Sequence, residues 1–109
     1  MVSNSYVFTS IAQKELNDIL FYIARKLNNP NAAKRFFEKV NQKISHICLF
    51  PESYPRLDND LVVEKNIRKA FVDNYIIYFL YNASEDMIVI LRVVYAKRNL
   101  NEIIKELTK

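Results

Sequence analysis

Residues 67–98 read IRKAFVDNYIIYFLYNASEDMIVILRVVYAKR. Three apolar segments rich in β-branched and aromatic residues alternate with two short polar turns, Asp73-Asn74 and the stretch beginning at Asn82. Two turns in succession fold such a run into an antiparallel meander. The strands are expected at about Ile67 to Val72, Tyr75 to Tyr81 and Met87 to Tyr95. In the second, Tyr75, Ile77, Phe79 and Tyr81 point one way and Ile76, Tyr78 and Leu80 the other. In the third, Met87, Val89, Leu91, Val93 and Tyr95 alternate with Ile88, Ile90, Arg92 and Val94. Both faces are largely apolar, so both need cover, whereas a one-sided sheet alternates polar with apolar. Basic residues flank the run: Lys65, Arg68 and Lys69 at its start, Lys97 and Arg98 at its end.

Outward from the meander, the preceding chain supplies one layer of cover. Tyr6-Val7-Phe8 is a short β-prone segment. Ser10 with Gln13 three residues on has capping-box spacing, so a helix is expected to begin there. Ala12, Leu16, Ile19, Leu20, Ile23 and Leu27 form its apolar stripe. Asn28-Asn29 ends it. Asn29 then caps a second helix with Pro30 at its first position, where a missing N–H costs nothing. Ala33, Phe37, Val40, Ile44 and Ile47 make the second stripe, widened by Phe36 and Cys48. Pro51 disfavours helix at Phe50 and stops it. A short connection makes the two helices a hairpin. Pro51 to Asp60 reads as loop, and Leu61-Val62-Val63 as a brief strand or part of that loop. After the meander, Asn99 and Glu102 have cap spacing, and Leu100, Ile103, Ile104 and Leu107 follow at i, i+3, i+4 and i+7. That pattern predicts a short amphipathic helix dependent on docking.

The expected fold class is therefore α+β, in the order β-α-α-β-β-β(-α), with an antiparallel meander packed on a helical hairpin. One domain spanning 1–109 accommodates it, because 109 residues suffice for a single modest core. No apolar run reaches membrane-spanning length. The N-terminus lacks the basic-then-apolar pattern of a secretory signal, and the single cysteine, Cys48, fits a reducing compartment, so a cytoplasmic location is expected. The formal charge of +4 suits a phosphate-bearing or acidic partner, although ordinary solvated lysines explain much of it. The chain contains no glycine. That excludes glycine-rich phosphate loops, and turns must use Asn and Asp, which tolerate left-handed backbone best among the other residues. One histidine and one cysteine cannot build a zinc site, so no metal and no cofactor are expected. His46 and Cys48, two apart on a helix, do not face each other as a nucleophile pair.

The ordered set of segments resembles the RelE/ParE superfamily, the toxins of type II toxin–antitoxin operons. YVFTSIAQKELNDILFYIA is similar to that family's opening strand and helix, and ICLFPESYPRL to the loop after its second helix. IRKAFVDNYIIYFLY resembles its arginine, turn and Tyr-x-Ile-Tyr strand, and VILRVVYAKRNLNEII its closing strand, basic pair and last helix. The resemblance implies a growth-inhibiting toxin of the kind associated with plasmid stabilization, neutralised by a cognate antitoxin as a heterotetramer or other assembly, with a homodimer also open. It implies one of two targets. ParE-like members poison DNA gyrase; RelE-like members cleave messenger RNA on the ribosome.

The nuclease branch needs cations for a charged phosphorane and groups that move protons. RelE-like enzymes place an arginine after the tyrosine opening the second meander strand, where this chain has Ile76, and a tyrosine in the closing helix, where spacing from Arg98 gives Ile104. The chain therefore leans towards ParE and gyrase, with the endoribonuclease as the alternative. Candidate target-binding residues are Lys65, Arg68, Lys69, Lys97 and Arg98. Should the protein be a nuclease, Arg68, Tyr95 and Arg98 are the candidate catalytic residues. Leu100, Ile103, Ile104 and Leu107 are candidates for antitoxin binding. Each has a plainer reading. Lys65 and Lys69 also suit a strand edge that resists pairing. An ion pair is the rival role for Arg68, and core or surface filling that for Tyr78 and Tyr95. Arg92, within an apolar face, is expected to pair internally with a carboxylate.

Overall fold

A computed structural model describes residues 5–57 and 67–98. Its elements are β1 (Ser5–Phe8), α1 (Ser10–Phe21), a π-type turn (Tyr22–Lys26), α2 (Pro30–Leu49), a 3-10 turn (Pro51–Ser53), β2 (Ile67–Val72), β3 (Tyr75–Asn82) and β4 (Met87–Tyr95). The three meander strands fall where the sequence puts them. Leu61-Val62-Val63, Lys65 and the expected C-terminal helix with Leu100, Ile103, Ile104 and Leu107 lie outside the described residues.

The sheet has four strands in the order β1-β4-β3-β2. β2, β3 and β4 form the antiparallel meander, and β1 joins beside β4 in parallel, Ser5 opposite Met87 and Phe8 opposite Ile90. The α1–α2 hairpin is the crossover that brings β1 and the meander into one sheet. Among the described residues, three backbone positions take a positive φ: Asn28 (50°), Asp73 (52°) and Asp86 (52°). All are Asn or Asp, the residues a glycine-free chain has for that conformation. Asp73 opens the β2–β3 turn. In the β3–β4 turn the left-handed residue is Asp86; Asn82 instead accepts from the Ser84 hydroxyl and the Glu85 amide.

One face of the sheet carries the main core. Ala12 and Leu16 of α1, and Phe36, Val40, Ile44 and Ile47 of α2, pack on Ala70, Val72, Ile77, Phe79, Tyr81, Ile88, Ile90 and Val93. On the opposite face Leu57, Ile67, Ile76, Tyr78 and Val94 make a smaller cluster. Both faces are therefore used, and Leu57, from the loop after α2, supplies part of the second cover. The segment before it also screens the β2 edge. The Leu57 amide donates to the Ile67 carbonyl, and the Lys69 amide to the Pro55 carbonyl. An edge dressed in this way offers little template for another strand.

Several local expectations are corrected. The α1 cap is Thr9, not Ser10: the Thr9 hydroxyl oxygen accepts from the Ala12 amide at 3.1 Å, and the Gln13 side chain turns to Asn17. Thr9 prevails because it is also tied to the sheet. Its amide donates to Ile90 O and its hydroxyl to Leu91 O, both at 3.0 Å. On α2 the stripe runs Ala33, Phe36, Val40, Ile44 and Ile47, steps of three and four, while Phe37 is exposed. One step along a helix turns a side chain by about 100°, which takes Phe37 off the buried face. Leu27, at the far end of the first stripe, is exposed as well.

The strict alternation expected in β4 also breaks. Tyr78 pairs with Arg92 but Phe79 with Ile90, so Leu91 is an extra residue on β4. Such a bulge reverses the facing of everything beyond it. Ile88 and Ile90 face the helices, and after the bulge Val93 does so too.

Candidate functional site

The candidate residues divide between the two ends of the sheet. Arg68 lies opposite Phe79, near the β3–β4 turn. Tyr95 lies opposite Tyr75, next to the β2–β3 turn, where the Ala96 amide donates to Asn74 O. Four strand positions separate Phe79 from Tyr75, which at strand rise is roughly 14 Å. The fold therefore does not bring Arg68 together with Tyr95 and Arg98. The reason is topological. Successive antiparallel strands reverse direction, so the start of the first and the end of the third fall at opposite ends.

At the far end, Tyr95 and Arg98 share a cleft of about 270 Å³ with Glu15, Asp18, Ile19, Tyr75, Val93 and Val94. Helix α1 provides the acidic wall and β4 the floor. Glu15 is the hub. Its carboxylate receives Arg92 Nε at 2.9 Å and Nη2 at 2.7 Å, the side-on bidentate form. It also accepts from the Val93 amide at 3.1 Å. Beyond Phe8, β1 no longer covers the β4 edge; Thr9 and then Glu15 take over its hydrogen bonding. Arg98 Nη1 stands 3.7 Å from the same carboxylate. Arg92 is therefore the internally paired arginine the sequence suggests, and the sequence gives no sign that Glu15 is its partner.

Two tyrosines form the aromatic side of this cleft. Tyr75 and Tyr95 meet edge to face at 5.7 Å, and Tyr75 meets Phe36 at 5.1 Å. Burial, with smaller contributions from Tyr22 and Tyr95, pushes the Tyr75 phenol above its ordinary pKa. It stays protonated at neutral pH, so it serves as a hydrogen-bond donor rather than a base. Asp18 is held by Lys14 at 2.8 Å across one turn of α1.

At the near end, Arg68 is buried under the loop after α2. Its Nη1 donates to Tyr54 O at 2.7 Å and lies 3.5 Å from Glu52 O. Lys69 points to the other face, its ammonium 5.9 Å from the Phe71 ring. Lys97 is exposed beyond β4. His46 is bound to the Tyr54 hydroxyl through Nδ1 and packs on the Phe50 and Tyr54 rings. Burial raises the Tyr54 phenol, and burial followed by Asp86 raises the Cys48 thiol, which makes Cys48 a poor nucleophile. Ile76, where the nuclease branch has arginine, belongs to the smaller apolar cluster. Among the described residues no group of three or more His, Cys, Asp or Glu is placed to hold a metal ion. No helix of the described residues is long and apolar enough to cross a membrane.

A four-stranded mixed sheet backed by a helical hairpin, built as β-α-α-β-β-β, is the architecture of the RelE/ParE class of small toxins. The family model of the ParE toxin of type II toxin–antitoxin systems, parDE, matches residues 6–100, and the chain belongs to that family. Among solved structures, it is similar to a chain of the chromosomal ParDE toxin–antitoxin system from P. aeruginosa, with a TM-score of 0.68 and 16% identity over 85% of this chain and 96% of that one. It is also similar to a chain of the RelBE2 toxin–antitoxin complex from Mycobacterium tuberculosis, with a TM-score of 0.59 and 19% identity over 86% and 99% of the two chains. A search of curated protein sequences finds no match.

Proposed function

We propose that this ParE-family toxin arrests growth by binding DNA gyrase through protein–protein contact, and that a cognate antitoxin neutralises it in the cytoplasm. The observation that carries this reading is the surrounding of Arg98. Phosphoryl chemistry on RNA calls for cations massed where charge develops, beside a group that moves a proton. Here Arg98 sits against Glu15, with Asp18 in the same cleft and Arg68 at the other end of the sheet. Glu15 is already paired with Arg92 and stands beside Arg98, and Asp18 is paired with Lys14, so the cleft masses little uncommitted positive charge for a phosphate backbone and suits a mixed, partly aromatic protein contact in which arginine and tyrosine serve as anchors. The ParE family model and the ParDE neighbour lend support.

The endoribonuclease reading keeps one observation of its own. Tyr95, Arg98 and the Glu15 carboxylate do share a cleft, in which the Arg98 guanidinium is placed to stabilise developing charge and the Tyr95 phenol and the Glu15 carboxylate are the groups available to move a proton. Parallel assays separate the two. Purified toxin at micromolar concentration is expected to block gyrase supercoiling and to leave translated messages uncut in primer extension. Codon-positioned cuts with undisturbed supercoiling reverse the assignment.

A further inference from the structure

Two buried polar atoms near the β3–β4 turn, Arg68 Nε and the Tyr81 hydroxyl, have no hydrogen-bond partner among the described residues and belong to side chains that line the same small cleft. Arg68 is 8% exposed and Tyr81 is 5% exposed. Among the described residues nothing bonds to Arg68 Nε or to the Tyr81 hydroxyl. Both side chains line a cleft of about 130 Å³ with Glu52, Arg56 and Ala83. Native proteins seldom leave buried donors unmet, because each unmet donor bears the full cost of its desolvation.

The guanidinium narrows what belongs there. Nη1 of Arg68 is spent on the Tyr54 carbonyl. Nε and Nη2 form the other edge of the fork, the edge that accepts a carboxylate side-on. The protein uses that very edge elsewhere: Arg92 holds Glu15 through Nε at 2.9 Å and Nη2 at 2.7 Å. Arg68 carries a buried charge with no described carboxylate on it, and the Tyr81 hydroxyl stands as a second donor. The lining has two guanidiniums and one carboxylate, a net single positive charge. The volume equals that of about four liquid waters, room for a small planar anion.

We propose that the Arg68–Tyr81 cleft is a binding site for a single carboxylate group. Its two oxygens lie along the Nε–Nη2 edge of Arg68, and one also accepts from Tyr81. Arg56 adds charge at the rim. Glu52 keeps the balance low enough to favour a monoanion over a phosphate dianion. The site is remote from Tyr95 and Arg98, so the inference stands or falls apart from the gyrase reading.

The test follows the Arg68 Nε–H resonance of the 15N-labelled full chain at pH 7 and fixed ionic strength. The probes are sodium acetate, sodium phosphate, sodium chloride and N-acetyl-glutamate α-amide. Acetate is expected to shift the resonance saturably, while phosphate shifts it no further than chloride does. Saturation by the capped glutamate as well identifies the source as a side chain offered by a partner protein; saturation by acetate alone identifies a small free acid. Tyr81→Phe, which keeps the packed ring, is expected to weaken acetate about fivefold, the loss of one hydrogen bond. Glu52→Gln, on the rim, is expected to tighten it. An Nε–H that responds equally to acetate and chloride shows a cleft filled by water alone and overturns the proposal, as does equal binding of phosphate.

Discussion

Glu15 binds three parts of the molecule at once: the α1 helix it belongs to, the β4 edge through the Val93 amide, and the guanidiniums of Arg92 and Arg98. The Arg92 side chain is only 6% exposed and that of Glu15 18%. Removing one member of a buried pair strands the other, which is the costly way to break it. Glu15→Ala is therefore expected to destabilise the fold by about 3 kcal/mol, read as a lower midpoint in urea unfolding with an unchanged slope. A loss below about 1 kcal/mol would show that the pair behaves as a surface one. The sequence points to Arg92 as paired, because an arginine within an apolar strand has few other stable fates. It cannot point to Glu15, which lies 77 positions away along the chain.

At the level of elements, helix starts and strand bounds were legible because they depend on neighbours in the chain. Asn29 caps α2 through the Ala32 amide, with Pro30 next to it. The α1 cap is Thr9, one residue before the Ser10 that capping-box spacing predicts, because Thr9 is fixed by β4 as much as by the helix. Thr9→Ala removes both the cap and the bond to Leu91 O, and is expected to cost about 1–2 kcal/mol. Ser10→Ala, by contrast, is expected to stay within about 0.5 kcal/mol. Thermal melts of the two variants compare them directly, and equal losses would return the cap to Ser10. The β4 bulge escaped a sequence reading for the same reason. Period-two alternation assumes an unbroken ladder, and the extra Leu91 exists only relative to β3.

Across the whole molecule, the basic residues divide into two ends with different surroundings. Arg98, whose side chain is 42% exposed, lines the cleft of Tyr75 and Tyr95 beside Glu15. Arg98→Ala is expected to leave the fold intact, since a partly exposed pair contributes about 0–1 kcal/mol, and to relieve growth inhibition on overexpression. Sustained growth arrest by a folded variant would remove Arg98 from the working surface. Arg68 offers no such clean reading, because it is buried beneath the Tyr54 carbonyl and its loss disturbs the loop after α2.

The chain by itself determined its element order, its Asn and Asp turns, the two apolar sheet faces and the internal pairing of Arg92. All of these follow from patterns within a few residues of one another. The tertiary structure decided which cations stand together, where β1 joins the sheet, how the bulge turns β4, and that Arg68 and Tyr81 meet over one cleft. Those facts depend on strand direction and register, which bring distant residues together and part near ones.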